Sequence, residues 1–186
     1  MRLYIRVNPV IRLLVLLTLS ILLVSCGGGD NGSSSDADVP EGYYQNVEHG
    51  LGFKPPDEWE KYYPSVGVVA FRTPGDSSHA NMSLIVESTS NSLTEYANSN
   101  KEGLSNILGL TIAGEEPQES IGDNEAYELS IYIELDDDEE SEVRQEHMIW
   151  VGDGKGYCLI FSALTDKWSD YRQTFQDVRN SFILDI

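Results

Sequence analysis

The densest group of side chains that could do chemistry is a run of acids in the C-terminal half of the chain. Residues 134–142 carry seven carboxylates in nine positions. Hard cations such as Ca²⁺ take several oxygen ligands at short range, and a run of this kind offers them. The carboxylates are Glu134, Asp136, Asp137, Asp138, Glu139, Glu140 and Glu142.

The same acidic run fits two other interpretations. Counted from Asp136, the EF-hand pattern fails, because Ser141 stands where glycine is needed and His147 where the bidentate glutamate is needed. Adjacent like charges repel, so the run is also typical of a solvated hairpin tip or of a surface that contacts a basic partner. Hairpin 134–142 is therefore a candidate site for a cation or another small ligand, with the metal left open.

Residues suited to catalysis are sparse. Of the three histidines, His49 and His79 have no evident carboxylate or nucleophile partner nearby in the sequence, and the third is His147. No Gly-x-Ser-x-Gly, His-Glu-x-x-His or phosphate-binding glycine loop is present. A Ser–His–acid triad can still assemble in space. The sequence nevertheless favours a protein that is not an enzyme and that uses no cofactor.

Aromatic and apolar residues on two predicted strands form a second candidate site. One face of the predicted strand 125–135 is apolar and is expected to face the core. The opposite face of its hairpin then carries Tyr132, Met148 and Trp150. If uncovered, these three form an apolar patch suited to a partner protein. If a helix or strand covers them, they are ordinary core residues, and Trp59 has the same ambiguity.

The N-terminal residues predict the localisation of the protein. Three arginines precede an apolar run from Leu13 to Val24, which is shorter than the roughly 20 residues of a membrane-spanning helix. The run ends in Leu-Val-Ser-Cys at 23–26, which resembles the bacterial lipobox. In proteins with that signal, the peptide is cut before the cysteine, which then carries fatty acyl chains such as palmitate.

Carried over to this sequence, the lipobox resemblance implies a signal peptide at 1–25, cleavage between Ser25 and Cys26, and lipid on Cys26. The alternative is an uncleaved membrane helix, which the glycines at 27–29 disfavour because they do not continue a helix. Several acyl chains on one cysteine hold a protein stably on a bilayer. We therefore expect a bacterial envelope protein. In a Gram-negative host the periplasmic side of the outer membrane is favoured, since Gly27 stands where enterobacterial inner-membrane retention signals have aspartate.

The region after the signal divides into a tether and one domain. Residues 26–40 are the cysteine and a segment of mostly Gly, Ser and Asp, which predicts a flexible tether with a span of about 20 Å. The remaining residues, 41–186, are enough for one domain with its own core. With Cys26 lipidated, Cys158 has no disulfide partner, and its apolar neighbours predict a buried strand more readily than a reactive thiol.

The charge balance excludes one class of function. The chain has 186 residues, and its 31 acidic residues outnumber 12 basic ones, for a formal net charge of −19 at pH 7. A nucleic-acid binder of the usual kind needs clustered Lys and Arg to neutralise phosphates, so nucleic acid is not an expected partner. The acidity is also compatible with a role in solubility alone.

Hydrophobic periodicity places the elements that would position these residues. Four short strands come first, at 43–49, 51–55, 66–72 and 81–87. Ser92 and Glu95 fit a capping box that opens a helix, and Gly109 is expected to end it. Four longer strands follow, at 111–119, 125–135, 143–151 and 156–163, and a last helix begins near Lys167. This order predicts an α+β fold, an antiparallel β-sheet with helices packed on it.

The motifs along this order are similar to those of the PsbP-like family. An aromatic strand leads into Pro and Trp at 52–59, a strand ends in Phe-x-x-Pro at 71–74, and an alternating strand occupies 81–86. A helix then opens with SLTEY at 92–96, and Ser-Phe-Ile closes the pattern at 181–183. The likeness covers about residues 42–184 and implies an α/β/α sandwich.

The resemblance implies a class of function and carries over no catalytic residue. The family includes small bacterial lipoproteins and a photosystem accessory subunit, and its members serve as accessory, assembly or partner-binding proteins. We therefore expect a lipid-anchored, non-enzymatic accessory or partner-binding module whose partner is an envelope protein. The alternative is a cation- or small-ligand-binding lipoprotein that uses the acidic hairpin 134–142.

Overall fold

The computed structural model describes residues 39–75, 80–122, 124–134 and 142–184. The strands are β1 (Tyr44–Asn46), β2 (Leu51–Phe53), β3 (Glu60–Tyr62), β4 (Val69–Arg72), β5 (Asn81–Ser88), β6 (Leu110–Ile121), β7 (Asn124–Glu134), β8 (Glu142–Gly152), β9 (Lys155–Leu164) and β10 (Ile183–Leu184). The helices are α1 (Leu93–Ser105) and α2 (Trp168–Asn180), and short 3₁₀ turns lie at Val47–His49 and Thr165–Lys167. Within these ranges no helix is both long and apolar enough to cross a bilayer.

The strands form two antiparallel sheets. The large sheet has seven strands in the order β3-β4-β5-β9-β8-β7-β6, and β1, β2 and β10 form a small one. In the small sheet, Tyr44 pairs with Phe53 across the predicted hairpin. Gly50 turns this hairpin with a φ of +65°, a conformation that other residues rarely adopt.

Each face of the large sheet has its own core. On one face, Tyr96 and Ala97 of α1 pack on the apolar side of β7, β8 and β9. On the other face, α2 and the small sheet cover a larger cluster that contains Trp150, Phe161 and Phe175. Helices therefore lie on opposite faces of one antiparallel sheet, and the predicted α+β sandwich is confirmed.

Helix α1 begins where its capping box predicts. Ser92 Oγ accepts a hydrogen bond from the backbone N–H of Glu95 at 3.4 Å, and the Glu95 carboxylate accepts one from the Ser92 N–H at 2.9 Å. The predicted end at Gly109 is wrong, since the helix ends at Ser105. The side-chain amide of Asn106 donates to the carbonyl of Glu102 at 2.9 Å. A polar side chain therefore provides a hydrogen bond to one of the last carbonyls of the helix.

Two short strands were not predicted, and the predicted strands 43–49, 51–55 and 66–72 are shorter than expected, at Tyr44–Asn46, Leu51–Phe53 and Val69–Arg72. β3 and β10 have three and two residues, too few to show an alternating pattern. The strand expected at 66–72 begins at Val69. It is shortened because Gly67 has a φ of +105° and lies so close to β5 that an added Cβ would be 2.7 Å from the carbonyl oxygen of Leu84.

Candidate functional site

Most of the predicted anchoring and cation-binding residues lie outside the described part of the chain. This applies to Ser25 and Cys26 and to residues 135–141 of the acidic run. His79, weighed above as a catalytic residue, also lies outside the described part. Glu134 and Glu142 are described, and they lie opposite each other on β7 and β8. Among the described residues, no group of three or more His, Cys, Asp or Glu is arranged to hold a metal ion. The cation site therefore stays a prediction.

The interpretation of Tyr132, Met148 and Trp150 as an exposed partner patch is wrong. Met148 and Trp150 are each only 1% exposed, because α2 and the small sheet cover this face. Tyr132 lies farther along the same face and is half-buried, with the Arg144 guanidinium 5.9 Å from its ring. The sequence placed the three on one face correctly, and the alternative, ordinary core residues, describes Met148 and Trp150.

Trp59 is also part of the packing. It contacts Tyr171 and Phe175 of α2 edge-on, with ring centroids 6.0 and 6.1 Å apart. Tyr63, close by in the sequence, is 72% exposed and lies beside Lys61, whose ammonium is 5.0 Å from its ring. A single exposed tyrosine is ordinary for a protein surface and is not by itself a binding site.

The third histidine belongs to a buried polar chain beneath α1. His147 Nε2 lies 3.0 Å from Gln145 Oε1, and the Gln145 amide donates to Ser162 Oγ at 3.4 Å. The amide oxygen of Gln145 requires a donor, so His147 Nε2 carries the hydrogen. Nδ1 is then free to accept from the thiol of Cys158, whose Sγ is 3.8 Å away.

This His–Cys pair is not a nucleophile. Burial lowers the pKa of His147 to about 4 and raises the pKa of Cys158 to about 12. Both groups are therefore neutral at pH 7, whereas a reactive cysteine needs a thiolate stabilised by a nearby positive charge. The pair satisfies polar atoms inside the core, and the prediction that Cys158 lies in a buried strand is confirmed.

A cleft of about 400 Å³ opens at the 47–50 turn and is the candidate site of this molecule. It lies where this turn meets the β8–β9 hairpin, the start of β7 and the end of β10. The polar and charged residues in its wall come from three of these segments: Glu48, His49, Asn124, Trp150, Asp153, Lys155 and Tyr157. Sequence reasoning missed the cleft because these residues are brought together only by the packing of the small sheet on the large one.

Side-chain bonds fix the 47–50 turn to β9. Lys155 Nζ donates to the carbonyl of Glu48 at 2.8 Å, and the Tyr157 hydroxyl donates to the carbonyl of His49 at 3.2 Å. At the start of the turn, Asn46 Oδ1 accepts from the backbone N–H of His49 at 3.1 Å. These bonds use the backbone of the turn and leave Nδ1 of the His49 ring without a partner.

Two ring nitrogens in the wall of the cleft are unpaired. Trp150 Nε1 and His49 Nδ1 are both buried and have no hydrogen-bond partner. A buried polar group left unpaired costs about 1–3 kcal/mol, so such groups are rare in folded proteins. Burial and the nearby ammonium of Lys155 lower the pKa of His49 more than Glu48 raises it, so this imidazole is neutral at pH 7.

The fold is shared with solved structures of other bacterial proteins. The solution structure of cyanobacterial PsbP, CyanoP, from Synechocystis sp. PCC 6803 is 21% identical, with 87% of this chain and 98% of that chain covered at a TM-score of 0.56. The crystal structure of LpqN from Mycobacterium tuberculosis, a protein involved in cell envelope biogenesis, is 12% identical. That match covers 73% of this chain and 83% of LpqN at a TM-score of 0.55.

Sequence comparison places the chain in a family. None of the curated proteins compared with it matches significantly. The family model described as PsbP matches residues 42–184, from just before β1 to the end of β10. Because this match covers most of the sequence and the whole of the described fold from β1 onward, the chain belongs to the PsbP family.

Proposed function

We propose that this chain is a lipid-anchored bacterial envelope protein that acts as a non-enzymatic accessory module and binds another envelope protein. The observation that carries the proposal is the arrangement of the sequence, in which a PsbP-family domain follows a lipobox-like segment at 23–26 and a glycine- and serine-rich tether. Lipid on Cys26 would hold the domain at the membrane, and the tether would let it reach a partner within about 20 Å.

The buried histidine–cysteine pair offers no activated nucleophile. His147 Nδ1 and Cys158 Sγ lie 3.8 Å apart, and burial keeps both groups neutral at pH 7. LpqN, which shares the fold, is involved in cell envelope biogenesis. LpqN supports a location of this protein in the cell envelope, and the proposal names no particular process in which it takes part.

Anchoring is tested by labelling cells with an alkyne-tagged palmitate and comparing two cysteine variants. Cys26→Ala should lose the label and leave the membrane fraction. Cys158→Ala is the matched control, because it removes a buried core thiol and should keep the label. Equal labelling of Cys26→Ala and the unmodified sequence would contradict the lipid anchor.

Partner binding is tested by photo-cross-linking in intact cells. A photoreactive amino acid replaces Leu108 or Tyr63, which are 99% and 72% exposed, while replacement of the fully buried Leu129 serves as the control. One dominant cross-linked protein, found by mass spectrometry and lost with Cys26→Ala, would support the accessory role. Only background cross-linking at good expression from both exposed positions would count against it.

A further inference from the structure

We infer that the cleft at the 47–50 turn binds a small zwitterion of the amino-acid type. Its carboxylate would lie toward Trp150 Nε1 and Lys155, and its ammonium toward Glu48 and Asp153. This site requires neither the lipid nor the protein partner of the proposed function, so the two proposals fail independently.

The unpaired nitrogen of Trp150 indicates what the ligand must supply. Trp150 is 1% exposed, lines the cleft and has no acceptor for its Nε1 hydrogen. Its ring is stacked on Tyr157 at 4.9 Å and makes a T-shaped contact with Phe182 at 5.6 Å, so aromatic rings already pack against it. An indole N–H can only donate, and the missing group is therefore an acceptor such as a carboxylate oxygen.

The charges around the cleft favour a ligand that carries one positive and one negative group. Lys155 uses one hydrogen bond on the carbonyl of Glu48, and an ammonium has three donors, so it can also pair with a carboxylate. Glu48 and Asp153 line the same cleft and would repel a simple anion. A ligand with an ammonium group next to its carboxylate meets both requirements.

The size of the cleft limits the ligand to one compact molecule. Small-molecule sites usually occupy about 300–1,000 Å³, and this cleft, at about 400 Å³, lies near the lower end. An α-amino acid carries its ammonium and its carboxylate on one carbon atom, which suits a cleft whose donors and acceptors share one small space.

The 47–50 turn provides the way in. Trp150 Nε1 and His49 Nδ1 have no exposed surface in this structure, so a ligand reaches them only when part of the wall moves. None of the residues Val47–His49 is buried, and Asn46, Lys155 and Tyr157 each contribute one side-chain hydrogen bond to the turn. A segment with so little buried surface moves at low cost.

The test uses NMR of the full-length protein labelled with ¹⁵N-tryptophan, which gives one indole signal for each of its three tryptophans. Alanine, glutamate and lysine are added at millimolar concentration, and N-acetylalanine and alanine amide serve as probes with one charge each. Trp150→Phe and Trp168→Phe assign the signals. We expect the zwitterions to move the Trp150 signal and to leave the Trp168 signal in place.

Two variants separate binding from a loss of structure. Lys155→Met should weaken zwitterion binding about tenfold or more, because it removes the charge that pairs with the carboxylate. Trp168→Phe is the matched control, because Trp168 Nε1 is also buried and unpaired but does not line the cleft. It should bind normally.

Three outcomes would overturn the inference. A Trp150 signal that no zwitterion moves would mean that solvent alone fills the cleft. N-acetylalanine or alanine amide moving it as strongly as alanine would show that both charges are not needed. Equal weakening by Trp168→Phe and Lys155→Met would show that the signal reports on the fold and not on the cleft.

Discussion

The buried histidine of the α1 face should make the domain sensitive to acid. His147 is 5% exposed, and its pKa falls from 6.5 to about 4 because burial disfavours the charged ring. The unfolded chain therefore takes up a proton before the folded domain does. The stability linked to His147 is complete above pH 6.5 and is lost as the pH falls from 6.5 towards 4.

The size of this effect follows from the same two values. Each pKa unit corresponds to about 1.4 kcal/mol, so the shift from 6.5 to about 4 predicts a loss of about 3 kcal/mol. Native domains are stabilised by only about 5–15 kcal/mol, so the loss should be plainly measurable. Below pH 4, His147 should contribute no further loss.

Urea unfolding from pH 7.5 to pH 4 measures the effect in the original protein and in His147→Gln. The glutamine keeps an amide donor for Gln145 but does not titrate. Other groups, including His49 and the carboxyls, titrate in both proteins, so the difference between the two pH profiles isolates His147. The variant should lose about 3 kcal/mol less over this range. Parallel profiles would refute the reasoning, since they would mean that His147 does not resist protonation.

Two further substitutions test the α1 layer by urea unfolding at pH 7. Gly156→Ala should destabilise the domain by about 1–3 kcal/mol, because the new Cβ would lie 2.4 Å from the Tyr96 ring and would displace its hydroxyl from Glu87. Gly114→Ala is its control and should change little, since that Cβ would contact Ser130 at an ordinary 3.6 Å; equal losses would contradict the packing argument. Ser92→Ala should cost about 1 kcal/mol, because it removes the N-cap acceptor of α1. Ser99→Ala, in the middle of the same helix, should cost less, and the reverse order would contradict the cap assignment.

The parts of the fold that could be predicted from the sequence are those with a long repeating pattern. Strand β7 alternates over eleven residues, and its apolar side, Leu129, Ile131 and Ile133, is buried as expected. The start of α1 was predicted because Ser92 and Glu95 form a local motif. In both cases, residues close together in the sequence determine the structure, so no knowledge of the tertiary packing was needed.

The candidate site depends on contacts that no local pattern encodes. His49 and Trp150 are about a hundred positions apart, and they share a cleft only because the small sheet packs against β8 and β9. The same packing decides whether Trp150 is core or surface. The sequence placed Trp150 on the correct face of its strand, but only the position of α2 and of the small sheet shows that this face is covered.

The two described histidines show why the cleft, and not the His–Cys pair, is the candidate site. At His147 the fold supplies Gln145 and Cys158 as partners, so both ring nitrogens are satisfied and the group stabilises the core. At His49 the fold leaves Nδ1 unpaired beside an open space.

An unpaired atom is not sufficient evidence of a site. Trp168 Nε1 is also buried and unpaired, yet Trp168 does not line the cleft, and the Arg144 guanidinium lies 4.5 Å from its ring. What distinguishes Trp150 is the combination of an unpaired donor, an adjoining space and charges of both signs in the wall of that space. Since Trp168 shares only the first of these features, a ligand that affected both tryptophans equally would show that the cleft has no special role.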